Sequence, residues 1–228
     1  MYDLAAKLEL GPLALSVEIA ALATLIAGIA GLALATLLAN ARFHGRDFLD
    51  VVVTAPIVLP PTVLGYYLLV ALGRRSLIGR TFEAVFGSSI VFTRTGAVLA
   101  ATVGALPLVV KSGRAALEGV DSTLVRAART LGAGPSRAFF TVQLPLAGRG
   151  IVAALMLAFA RSLGDFGITL MVAGDIPRET QTASLAIYDA IQEHRDAAAL
   201  GMVLALTTTA IGILYAVNKL SAGPRDVR

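Results

Sequence analysis

The run LALSVEIAALATLIAGIAGLALATLLA, residues 13–39, holds a single ionisable group, Glu18, in a stretch long enough to cross a hydrocarbon core of about 30 Å as a helix. Alanine and glycine recur through it, as they do in helices whose backbones pack closely in lipid. It is too long for the apolar core of a secretory signal, and acidic as well as basic residues precede it, so it reads as a membrane span.

Four further segments follow the same logic. Residues 51–73 contain no ionisable group. Residues 92–111 are charge-free only from Thr95 to Val110, so this span either borrows the turn before it or lets Lys111 snorkel to the interface. Residues 150–173 hold Arg161 and Asp165, and residues 197–217 are free of charge. The expected fold is all-α and integral to a membrane, one domain over residues 1–228 with about five transmembrane helices. Composition agrees: 57% of the residues are hydrophobic and 15% charged, where a soluble domain carries about 25%. Mean hydropathy is +0.79. Without cysteine there is neither a disulfide framework nor a thiolate zinc site. The basic residues lie between apolar runs in no continuous stripe, which argues against nucleic acid as a partner.

Five crossings put the termini on opposite sides. One side holds Arg42, Arg46, Lys111, Arg114, Arg126, Arg129, Arg137, Arg149, Lys219, Arg225 and Arg228; the other holds Lys7, Arg74, Arg75, Arg80, Arg94, Arg178 and Arg195. The positive-inside rule makes the first side cytoplasmic, with the N-terminus outside and the C-terminus inside. Arg74 and Arg75 run against that trend. The stretch 74–94 has room for a re-entrant or interfacial helix around Phe82–Phe86.

The cytoplasmic segment 121–145 has helix signals of its own. Asp121 and Ser122 offer an N-cap, Leu124, Ala127, Ala128 and Leu131 recur at helical spacing, and Gly132, Gly134 and Pro135 end the helix. A second helical piece, 136–142, leads to Leu144 and Pro145. Such a helix either lies on lipid headgroups or serves as a docking knob for a soluble partner.

No catalytic constellation is present. His44 and His194 fall in loops on opposite sides of the bilayer, and no lysine follows a glycine as nucleotide hydrolysis by a P-loop requires. The costliest feature is the pair Arg161 and Asp165, four residues apart within a span, each costing about 2.5–3.5 kcal/mol if it faced lipid. One reading is a local ion pair that locks packing near Gly164 and Gly167; the other is an anion route lined by Arg161, with Asp165 holding its geometry. Pro60 and Pro61 interrupt the second span, and broken helices often line a pathway, although kinks also serve packing. Thr207, Thr208 and Thr209 either solvate an ion or bond their own helix carbonyls. Glu18 lies close enough to the interface to reach water.

The sequence Arg126-Ala127-Ala128-Arg129-Thr130-Leu131-Gly132, followed by Val142-Gln143-Leu144-Pro145, resembles the EAA loop of ABC importer permeases, with Arg126 where that family often has glutamate. The stretches 55–67 (APIVLPPTVLGYY) and 160–167 (ARSLGDFG) are similar to those of molybdate permeases, with sulfate permeases as close relatives; Asp165 stands where the usual acid is glutamate. The resemblance implies an inner-membrane subunit of a bacterial or archaeal type I importer, a homodimer served by two ATP-binding cassette subunits and an extracytoplasmic molybdate-binding protein. ATP would be bound by the partner, with no cofactor in this chain. Ala127, Ala128, Gly132, Leu144 and Pro145 would then couple to the ATP-binding subunit, while Arg161, Asp165, Pro60, Pro61 and Thr208 are candidates for the translocation path. Tungstate and sulfate remain alternative substrates. A passive anion channel and a membrane scaffold are the rivals from other classes. The residues after Val217 are too few for a regulatory domain, so feedback by bound oxyanion is expected in a partner.

Overall fold

The computed structural model describes residues 11–41 and 43–221, all helices and connections, with no strand among these residues. Lys7, Arg42, Arg225 and Arg228, used above for orientation, lie outside the described residues.

Helix α1, Gly11–Asn40, buries mainly small residues, together with Leu15, Ile19 and Leu38, and exposes several large ones. Ala20, Ala23, Ala27 and Ala35 are fully buried, whereas Leu25 and Ile29 on the other side are 60% and 68% exposed. The bias toward alanine at the contact follows from lipid as solvent, where close backbone approach gains dispersion contacts. The partner is α5, Arg94–Glu118, the most deeply buried of the long helices. A Cβ at Gly31 would stand 2.8 Å from Val109, and one at Gly113 would stand 3.0 Å from Leu32. Helix α8, Leu144–Leu163, meets the other side of α5, where a Cβ at Gly150 would come within 2.5 Å of Ala116. Three helices thus interlock through glycine and alanine.

The stretch expected as one span over 51–73 forms two helices instead, α2 (Arg46–Val58) and α3 (Pro61–Leu72), bent by 116° at the break. The cause is local. A residue before proline is pushed out of the α region, and with Pro60 and Pro61 in succession both Leu59 and Pro60 take ψ 138°. Pro61 then opens α3 at the position where its missing N–H costs nothing. Neither helix, at roughly 20 and 18 Å, crosses the core alone. The base of α2 is clamped to α5 by Asp50, which takes Lys111 at 2.8 Å and Arg114 at 3.4 Å.

Helix α4, Leu77–Phe86, occupies the stretch where an interfacial helix has room, capped by Ser76 and ended by Gly87 in the left-handed region. Helix α5 runs seven residues beyond Lys111, with Lys111, Arg114 and Glu118 on its last turns. The segment 121–145 is not a loop throughout: α6 (Ser122–Thr130) and a one-turn helix α7 (Pro135–Ala138) precede a π-helical turn, Phe139–Gln143, and α8 follows directly. Leu144 and Pro145 therefore belong to the first turn of α8. The fourth span is likewise broken. Helix α8 stops at Leu163, and a short helix α9, Gly167–Ala173, resumes after Gly164–Phe166. Helix α10 (Ala183–Gln192) and the largely exposed α11 (Asp196–Ser221) complete the chain. Among the described residues four helices are long and apolar enough to cross a membrane, and the bent pair makes five if it counts as one span.

Candidate functional site

The break between α8 and α9 builds the polar centre. Asp165 lies just past the end of α8, so it does not share a continuous helix with Arg161. It is 3% exposed, and both of its oxygens are engaged. Oδ1 accepts from Arg161 Nη1 at 2.8 Å. Oδ2 accepts from the Thr169 backbone N–H at 2.9 Å and from Thr169 Oγ1 at 2.7 Å. The carboxylate thus joins the last turn of α8 to the first turn of α9, satisfying an amide that a helix start leaves without a partner. A buried carboxylate is tolerated only when so paired.

Arg161 is in a different position. Its side chain is 33% exposed, and Asp165 is its only ion-pair partner among the described residues. A guanidinium has five N–H donors, and among the described residues one hydrogen bond, to Asp165, engages it. Gly104 of α5 makes the room: a Cβ there would stand 3.5 Å from Arg161 Nη2 and 2.9 Å from Ile168. Gly167 does the same for the proline break, since a Cβ would meet Pro61 at 2.9 Å. Pro61 is thereby seated against Gly167, two residues after the acid, while Pro60 and Pro61 are themselves exposed. Thr208 is not drawn in; its hydroxyl donates to the Leu204 carbonyl at 2.8 Å and the Ala205 carbonyl at 3.1 Å on its own helix. Thr169 and Gly104 escaped the sequence reading. Thr169 stands four residues after Asp165, the same spacing that singles out Arg161, and could have been found by it.

At the far end of α5, α6 projects with no buried residue. Asp121 accepts from the Thr123 amide at 2.8 Å, and this bond, with the Thr123 hydroxyl beside it, holds the Asp121 carboxyl below the usual range. Gly132 has φ +91°, and the amides of Gly132 and Ala133 reach the carbonyls of Arg129 and Ala128, each at 3.1 Å. This is a Schellman ending, which needs a left-handed residue at that position. A Cβ on Gly132 would touch nothing within 4 Å, so the glycine answers to backbone conformation, not to space. Ala127 is exposed and Ala128 half-buried, with Leu131 89% exposed beside them. Leu144 is half-buried against a cluster that includes Leu117 and Ile151, and Pro145 is exposed. Gln143, between the knob and α8, donates to the Leu117 carbonyl at 3.3 Å and so ties the π turn to α5.

Comparison with known proteins bears on the family and the fold. The chain is 49% identical over 178 residues, 78% of each chain, to "Molybdenum transport system permease protein ModB" of Escherichia coli K12. It is 33% identical over 180 residues, 79% of this chain and 67% of the relative, to a probable sulfate transport system permease protein, cysT, of Chlorella vulgaris. Among solved structures, an inward-facing form of the MetNI methionine ABC transporter superposes with a TM-score of 0.74 at 19% identity, covering 97% of this chain and 98% of that one. The family described as "Binding-protein-dependent transport system inner membrane component" matches residues 19–221, and this chain belongs to it.

Proposed function

We propose that the chain is the permease subunit of an ATP-driven molybdate importer. It works as a homodimer with two ATP-binding cassette subunits and an extracytoplasmic binding protein, its N-terminus outside and α6 in the cytoplasm of a bacterial or archaeal cell. The observation that carries the reading is Arg161, held at the centre of the bundle by a buried acid while most of its donors stay free. An anion passing there meets a cation whose position is set but whose charge is incompletely spent, which favours weak transient binding over capture. The 49% identity to a molybdenum permease supports the substrate.

The exposed α6 supports docking of the ATP-binding subunit through Ala127, Ala128 and Gly132. Helix α8 starts two short elements later and runs unbroken for 20 residues, roughly 30 Å, with Arg161 in its last turn. Movement imposed on α6 and the π turn would therefore reach the anion path through one rigid rod. A passive channel would have no use for such a knob.

Reconstitution of the chain in vesicles with its ATP-binding subunits and binding protein tests this reading. ATP-dependent uptake of labelled molybdate, inhibited by tungstate and not by equal sulfate, is the expected result. Sulfate competition at equal concentration would move the assignment to a sulfate permease, and uptake without ATP would sink the importer mechanism.

A further inference from the structure

At the end of the bundle remote from α6, an open cavity of about 800 Å³ lies between the end of α3 and the start of α5. Its polar lining consists of Arg74, Arg75, Ser88, Ser89 and Thr93, with no carboxylate among the lining residues. Leu69, Val70, Val91 and Phe92 supply apolar wall. Arg74 is shared with Glu83 at 3.3 Å, and Thr93 caps α5, but Arg75 has no ion-pair partner among the described residues. The Ser89 hydroxyl is buried without a hydrogen-bond partner, a group that rotation toward the cavity would satisfy with an acceptor. Such a lining offers donors and positive charge.

We propose that this cavity is an anion-receiving vestibule, a second oxyanion station that takes a hydrated tetrahedral dianion before it reaches Arg161. The inference rests on the anion-importer reading. Two physical arguments support it. A dozen hydrating waters at about 30 Å³ each, plus the ion, occupy somewhat over 400 Å³, so the cavity admits the anion with its water and need not strip it. A cleft of one charge sign with low-dielectric walls also concentrates counter-ions by focusing the field.

The vestibule is joined to the central site. Phe92, a bulky residue at φ +60°, turns its amide onto the Val172 carbonyl of α9 at 2.9 Å. Val172 lies one turn beyond Thr169, which binds Asp165. The cavity wall and the Arg161 counter-ion thus hang on one short helix, about 10 Å long.

The test uses the full permease with its ATP-binding subunits in detergent, without binding protein, and measures labelled molybdate binding by scintillation proximity at low and high salt. The expected result is a weak component that high salt suppresses. Arg75→Gln should weaken it about tenfold and Ser89→Ala by a smaller factor. Arg75→Lys should keep most of it. Wild-type binding by both Arg75→Gln and Arg74→Gln would overturn the proposal. So would unchanged molybdate binding combined with loss of phosphatidylglycerol retention in nanodiscs, which would make the cavity a lipid-phosphate site. Failure of this binding with ATP-driven uptake intact would refute the vestibule alone; weak binding that follows Arg75, with no ATP-driven uptake, would refute the importer reading alone.

Discussion

Asp165 holds Arg161 at 2.8 Å with one oxygen and the amide and hydroxyl of Thr169 with the other, so a single carboxylate fastens two helix ends to each other. Removing it breaks both attachments. Asp165→Ala should lower the stability of the detergent-purified chain by about 2–4 kcal/mol, the cost of leaving a charge and an amide unpaired near the core. Asp165→Glu should recover part of it. Fluorescence-detected size-exclusion after heating measures the difference, and equal survival of Asp165→Ala and wild type would exclude the fastening role.

Gly132 separates conformation from space. Gly132→Asn, which tolerates the left-handed region, should leave assembly with the ATP-binding subunit near wild type, whereas Gly132→Val should weaken it about tenfold or more. Co-purification stoichiometry reads the effect. Comparable loss in both variants would show that side-chain volume at the interface, not φ, is what matters.

The interlock of α1, α5 and α8 has almost no free volume. Gly150→Val places new methyl groups where Ala116 already stands at 2.5 Å from a Cβ, and should destabilise by about 1–3 kcal/mol or more. Gly148→Val, two residues earlier with nothing within 4 Å, is the control and should be close to neutral. Parallel thermal-aggregation curves for the two would contradict the packing described.

Asp175 follows α9 and faces Asp189 of α10, with Gln181 donating to Asp189 at 2.8 Å. Desolvation, then the neighbouring Asp189 carboxylate, push Asp175 up to about 6 from an ordinary 3.8. A carboxyl whose folded pKa is raised holds its proton more tightly folded than unfolded. Its contribution to loop stability is therefore full below about 3.8 and is lost as pH rises through about 6. Hydrogen exchange over residues 176–190, corrected for intrinsic rates, should show more protection at pH 5 than at pH 7.5. Asp175→Asn should flatten that difference.

Much of this was legible in the chain itself. Apolar runs such as 13–39 declare membrane helices because the cost of burying charge in lipid is summed along one segment. The ending of α6 at Gly132 is likewise local, set by capping chemistry, and Arg161 and Asp165 are close enough in the chain to meet even though the helix ends between them. Even the break at Pro60–Pro61 could be read, since successive prolines exclude helix at the residues before them.

What the sequence left open are relations between segments. The 116° bend, the seating of Pro61 on Gly167, and the space that Gly104 leaves for Arg161 depend on where helices cross. Asp165 reads as a partner within one helix, yet α8 ends before it, and of the two roles open to Thr208 its hydroxyl takes up bonding to its own helix carbonyls. Residues 69–75 and 88–93 form one cavity only because α3 folds back beside the start of α5. The sequence by itself determined which segments enter lipid and how their ends are capped, because those energies are local. Only the tertiary structure decided which polar groups meet, because that is set by how closely glycine and alanine let neighbouring backbones approach.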